Sequence, residues 1–221
     1  MTPSRGPVAA IFDMDGVLID SGAHHRAAWR ALLEEIGEDA DPEHWRLTIG
    51  RPSEEAVPLL LGRPLSDWEI QRLARRKRDL YVGFSRAGIM TVAGVDRFVA
   101  GLAGRDIPRA VGTSASNFDV HHLLADAGLR RYFDVIVTAD DVTYGKPDPE
   151  VYLLAAARLR VRPEMCVVFE DSLVGLEAAR RAGMRAIGVT TAHTADELLG
   201  AGAERAIANF EDLEWPAIAH P

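Results

Sequence analysis

Val8-Ala9-Ala10-Ile11-Phe12-Asp13-Met14-Asp15-Gly16 is an apolar run that stops at two carboxylates and a glycine. Its β-branched and aromatic residues, bounded by a turn signal, suit a strand buried on both faces, as strands of a parallel sheet are. Such a strand has little reason to end in paired acids. Carboxylates two residues apart repel unless a cation or a shared proton compensates, so the pair hints at a metal. The plainer alternative is a tight Asp-Gly turn, and the rest of the chain has to decide between them.

The 221 residues make one large or two modest domains, at about 100–200 residues per domain. Apolar residues at 48% supply a core, and a formal net charge of -8 argues against nucleic acid as the main partner, because phosphate backbones demand a basic surface. An anionic substrate therefore needs a local positive site. The single cysteine, Cys166, rules out an intramolecular disulfide and, inside the run Met165-Cys166-Val167-Val168-Phe169, reads as a buried thiol. Met1 to Pro7 holds no long apolar segment and no run is long enough to cross a bilayer, so the expectation is a soluble, cytoplasmic protein with no membrane partner.

Beyond Gly16, Ala27, Ala28, Ala31, Leu32 and Ile36 recur at near-helical spacing, which predicts a helix over 24–36 closed by Gly37. Further helices are predicted over 54–61 and, from the Ser66-Asp67 cap signal, to about Tyr81. No strand pattern interrupts this stretch, which reads as a small helical module inserted after the first strand. From Val92 onward, helices predicted over 95–102, 118–127, 149–159 and 173–182 alternate with strands over 108–112, 135–138, 165–169 and 186–189. Asp148 reads as the N-cap of the third of these helices, with Pro149 in its first turn. The rhythm means a doubly wound α/β fold, a parallel sheet with helices on both faces, whose ligands bind beyond the carboxyl ends of the strands.

The residues just after each strand are therefore read together. Strand one ends in Asp13 and Asp15, and strand two in Thr113-Ser114-Ala115-Ser116-Asn117, where hydroxyls and free N–H groups can hold an oxyanion. After strand three comes Gly145-Lys146-Pro147, and Pro147 restricts Lys146 to an extended conformation. Strand four ends in Glu170-Asp171-Ser172. Taken singly these are a turn, two helix caps and a solvated lysine. Taken together, the acids of strands one and four can bind magnesium, and the hydroxyl, N–H groups and lysine can clamp a phosphoryl group.

Asp13-Met14-Asp15-Gly16-Val17-Leu18-Ile19-Asp20-Ser21, Thr113, Gly145-Lys146-Pro147 and Glu170-Asp171-Ser172 resemble, in order and spacing, the four motifs of the haloacid dehalogenase superfamily. The resemblance covers essentially the whole chain, and the helical insert is similar to the cap of the β-phosphoglucomutase-like branch. It implies a Rossmann-like core at residues 1–20 and 92–221 and a cap at 21–91. It implies Asp13 as the nucleophile forming an aspartyl-phosphate and Asp15 as general acid and base. Mg2+ would be held by Asp13, the Asp15 carbonyl and Asp171, with Glu170 assisting, while Thr113 and Lys146 hold phosphoryl oxygens. Superfamily dehalogenases and phosphonate hydrolases typically lack an acid two residues after the nucleophile, so Asp15 points to phosphate esters.

Ser114 and Asn117, with His25, Arg51 and Lys77 from the cap, are the candidate substrate contacts; Trp29 reads as core. In the mutase an arginine follows a Gly-x-Ser pattern, whereas Gly50-Arg51-Pro52-Ser53 has its arginine directly after the glycine and a serine at the mutase position. The expectation is a Mg2+-dependent phosphatase acting on a small phosphorylated metabolite, a sugar phosphate, as a monomer. A phosphoglucomutase is the alternative. A non-catalytic phospho-receiver is disfavoured because receivers carry the phosphoacceptor on the third strand and no large helical insert.

Overall fold

A computed structural model describes residues 9–86 and 88–215. The polar N-terminal stretch and Val8, assigned above to the first strand, lie outside that range. The chain runs β1 (Ala9–Phe12), then α1 (Gly22–Ile36), α2 (Pro42–Leu47), α3 (Ser53–Leu61) and α4 (Asp67–Ser85), then α5 (Val95–Ala103), β2 (Arg109–Gly112), α6 (Asn117–Asp126), β3 (Val135–Val137), α7 (Glu150–Leu159), β4 (Cys166–Glu170), α8 (Leu173–Arg181), β5 (Arg185–Val189), α9 (Ala195–Gly200) and β6 (Arg205–Ile207). All six strands pair in parallel in the order β3-β2-β1-β4-β5-β6. Strand order reverses between β1 and β4, which makes their carboxyl ends the crevice of the sheet.

Two apolar layers cover the sheet. Alternation along β1 sends Ala10 and Phe12 to one, with Phe98, Val99, Leu124 and Phe133, and Ala9 and Ile11 to the other, with Tyr152, Ala155 and Leu176. Phe12 stacks on Phe169 of the neighbouring strand at 4.8 Å and 6°. Helices α1–α4 close on an apolar centre of their own, which includes Trp29, Leu32, Ala56, Leu60, Leu73 and Ala74. The chain leaves and re-enters the core side by side: Asp20 N–H donates to Met90 O at 2.8 Å and Val92 N–H to Leu18 O at 3.2 Å. Among the described residues no helix is long and apolar enough to cross a membrane.

Several expected boundaries move. α4 continues to Ser85, opened by the predicted Ser66 cap in a reciprocal bond with Glu69. Helix α7 starts one residue late, with Pro149 at the cap position, while Asp148 Oδ1 still accepts from the Glu150 N–H at 3.0 Å. α2, α9 and β6 were not predicted at all.

Candidate active site

Register builds the site. Phe12 pairs with Phe169 and with Val111, and the Asp13 N–H donates to Phe169 O at 3.0 Å, so Asp13 and Glu170 leave adjacent strands at the same level. Beyond Asp13 the chain turns tightly, with Gly16 N–H bonded to Ile19 O and Leu18 N–H to Met14 O. Gly16 has φ +74°, and a Cβ there would lie 1.9 Å from Asp171 Oδ2. Only glycine lets the turn approach the fourth-strand acid this closely.

Lys146, 1% exposed, lies between the two strand ends, its Nζ 2.8 Å from Asp13 Oδ1 and 2.7 Å from Glu170 Oε1. The two carboxylates share one ammonium but are not equivalent. Glu170 also accepts from Tyr152 Oη at 2.9 Å, from Ser172 N–H at 2.7 Å and from Ser172 Oγ at 2.9 Å. Burial pushes Glu170 up, but Lys146 and the Ser172 bonds outweigh it and hold it below the usual carboxylate value. Asp13 lacks those extra donors, so burial, reinforced by Glu170 and Asp15 and opposed by Lys146, lifts it to about 7. Burial also lifts Asp171 well above its ordinary value, with Glu170 and Asp13 adding to it. Burial alone would lower Lys146, yet Asp13 and Glu170 dominate and raise it.

Asp13, Glu170 and Asp171 each offer an oxygen, and these oxygens lie within 4.8 Å of one another. All three are buried, and among the described residues the Asp171 side chain has only the Thr191 hydroxyl as partner, at 3.1 Å. An all-oxygen set with more negative charge than Lys146 neutralises fits a hard divalent cation.

From the helical side a chain of contacts reaches Asp15. Lys77 Nζ lies 2.8 Å from His25 Nδ1, and His25 Nε2 lies 3.1 Å from Asp15 Oδ1. An ammonium has donors only, so Lys77 donates to Nδ1 and leaves the Nε2 proton to face Asp15. Burial pushes the Asp15 carboxyl up, but His25, by charge and hydrogen bond, with Lys77 behind it, holds it at about 2. Burial, then Lys77, lowers His25. The Asp15 carboxylate thus accepts the Nε2 proton of a neutral imidazole across 3.1 Å. Lys77 itself is 5% exposed, over the Trp29 and Tyr81 rings at 5.0 and 5.2 Å, and burial lowers it to about 8 against the pull of Asp15.

A cleft of about 910 Å³ between sheet edge and helices joins these groups, and Asp13, Asp15, Thr113, Lys146, Asp171, Ser114, His25, Arg51 and Lys77 all line it. Ser114 Oγ donates across it to Gly50 O at 2.9 Å. Arg51 reaches Glu55 at 3.4 Å, and its Nε has no partner. Glu170 sits one layer behind, fully buried. Asn117, expected among the substrate contacts, is exposed and outside the cleft lining: it is the first residue of α6, and its backbone N–H donates to Asp140 Oδ2 at 2.8 Å. Tyr152, Tyr81, Thr191 and His193 were missed. For Thr191 the signal was available, since Thr190-Thr191 follow the fifth strand. Cys166 is buried as expected, its thiol pushed up to about 11 by burial.

Fold and site define a class: an α/β enzyme whose carboxylates, lysine and hydroxyls meet at the switch point beneath a helical cap. The family model for haloacid dehalogenase-like hydrolases matches residues 10–189, and the chain belongs to that family. It is 38% identical over 179 residues to the fructose-1-phosphate phosphatase YqaB of Escherichia coli K12, covering 81% of this chain and 94% of that protein. Its identity to the validoxylamine A 7'-phosphate phosphatase of Streptomyces hygroscopicus subsp. limoneus is 34% over 209 residues, with 95% and 97% covered. The crystal structure of β-phosphoglucomutase from Clostridium difficile superposes with a TM-score of 0.84 at 26% identity, covering 96% of this chain and 95% of that one. Within the family the chain is of the β-phosphoglucomutase-like branch, and it is a phosphatase.

Proposed function

We propose that the protein hydrolyses a small phosphorylated metabolite, a sugar phosphate, with Mg2+ and through an aspartyl-phosphate on Asp13. The observation that carries this reading is the Asp13–Lys146–Glu170 cluster beside Asp171 at the floor of a cleft whose roof supplies His25 and Lys77 to Asp15. The phosphatases similar to this chain act on phosphorylated sugars or a sugar-like compound by their names, which supports the substrate class.

Asp13, on the short segment just after β1, attacks phosphorus, and the bond to the leaving oxygen breaks. Lys146 and the Thr113 hydroxyl hold phosphoryl oxygens, offsetting the crowded negative charge. Asp13, the Asp15 carbonyl and Asp171 would hold Mg2+, with Glu170 behind them; when bound, it would supply positive charge to the phosphoryl oxygens and favour the ionised form of Asp13. Asp15, in its protonated form, gives its proton to the leaving oxygen, then takes one from the water that splits the aspartyl-phosphate. Ser114, His25, Arg51 and Lys77 face the substrate. Residues 21–91 act as the cap, excluding bulk water, and residues 1–20 and 92–221 as the catalytic core.

The test is phosphate release with and without Mg2+ across a panel of phosphorylated sugars, using Asp13→Asn as control and assaying glucose 6-phosphate formation from β-glucose 1-phosphate separately. Mg2+-dependent release lost in Asp13→Asn is expected. Efficient isomerisation with little free phosphate would instead make the protein a mutase.

A further inference from the structure

The four motifs leave the loop between β5 and α9 without a role, yet it grips the proposed metal site on two sides. Thr191 Oγ1 lies 2.6 Å from Gly16 O and 3.1 Å from Asp171 Oδ2. Two residues on, buried His193 places Nδ1 2.9 Å from the backbone carbonyl of Asp171. One loop therefore holds both the side chain and the main chain of the same acid. The single hydroxyl proton is shared between that acid and Gly16 O, on the turn that carries Asp15.

We propose that Thr191 is a positioning residue for the divalent cation: its hydroxyl fixes the Asp171 carboxylate against the Asp13–Gly16 turn, so that the two halves of the ion site sit at binding distance before the ion arrives. This rests on the metal reading above. Thr191 is itself exposed, and what holds its hydroxyl is the close approach of the turn and the acid. A Cβ on Gly16 would lie 1.9 Å from Asp171 Oδ2 and 2.9 Å from Thr191 Oγ1, so the three groups are already in close contact. Asp171 has no other side-chain partner among the described residues, unlike Glu170 with its lysine, tyrosine and serine. Without Thr191 no hydrogen bond from the described residues holds the Asp171 carboxylate. The ion must then order the carboxylate itself, and affinity falls. His193 supports the loop by anchoring its far end to the Asp171 backbone.

The test is Mg2+ affinity of the full chain by isothermal titration calorimetry, with no substrate present. Thr191→Val keeps the branched shape and removes the hydroxyl; Thr191→Ser keeps the hydroxyl. Thr191→Val should weaken Mg2+ binding by about 10-fold or more, the range in which groups that orient metal ligands act, while Thr191→Ser stays within about 3-fold of wild type. In steady-state kinetics the Thr191→Val defect should lie in the Mg2+ concentration required, with kcat at saturating Mg2+ largely retained. If Thr191→Val does not fold, Thr191→Ala removes the same hydroxyl and makes the same comparison. A hydroxyl-free variant that binds Mg2+ as tightly as wild type overturns the assignment and leaves the catalytic reading standing. Wild-type protein that binds no Mg2+ overturns both.

Discussion

The molecule buries two lysines, one in each half, and treats them in opposite ways. Lys146 at the sheet edge is bonded to two carboxylates and is raised above its ordinary value. Lys77 in α4 meets two aromatic faces and an imidazole, with no carboxylate bonded to it, and is lowered to about 8. The first ammonium is compensated within the fold and serves as a fixed element of the site. The second carries charge that the fold leaves partly unanswered, at a cost in stability. On the proposed function an anion entering the cleft would answer it.

The largest effect expected is at Lys146. Lys146→Met leaves two buried carboxylates without their cation and should destabilise the protein by about 3–5 kcal/mol in denaturant titration. It should also lower kcat by about 10²–10³-fold, as loss of a preorganised donor does.

Lys77→Met should do the reverse for stability. Because burial disfavours the charged form, the variant should be more stable than wild type at pH 7 by on the order of 2 kcal/mol, set by the lowering from 10.5 to about 8 and reduced by the lost ring contacts. Its phosphatase activity should fall, since nothing then fixes the His25 tautomer facing Asp15. Equal destabilisation in both lysine variants would break the contrast.

The pH dependence sharpens it. A group whose folded value is depressed contributes stability above its unfolded value and loses it as pH falls through the folded one. The stability gap between Lys77→Met and wild type should thus be full below about pH 8 and close as pH rises toward 10.5. A gap constant over that window would show that Lys77 is not titrating as its burial implies.

The smallest effect on stability is at the exposed ion pair between Arg46, part of the cleft lining in α2, and Glu197 in α9. Arg46→Ala should shift Tm by no more than about 2 °C in thermal unfolding.

The same contrast marks what could be read from the sequence. The core acids were legible because they interrupt a strong apolar strand signal at its carboxyl end, as at Phe12-Asp13 and Phe169-Glu170, whereas Lys146 lies well beyond β3 and was legible from its Gly145-Lys146-Pro147 setting. Strand β6 was not, because Arg205-Ala206-Ile207 is three residues long and opens on a charge. Helix α9 was legible but unread: Thr194 and Glu197 form a reciprocal capping box at the usual spacing. Lys77 lies in a run of four cations, Arg75 to Arg78, and only packing of α4 on α1 turns that one inward. Asn117 stands apart from the cleft because it opens α6 on the exposed side, while its neighbour Ser116 caps that helix.

The most direct test of the central claim is acid-quench trapping during turnover with Mg2+ and a phosphatase substrate from the panel, followed by mass spectrometry of the peptide containing Asp13. A phosphoryl group on Asp13, absent in Asp13→Asn together with turnover, is the predicted result. Undiminished phosphate release by Asp13→Asn would contradict the account.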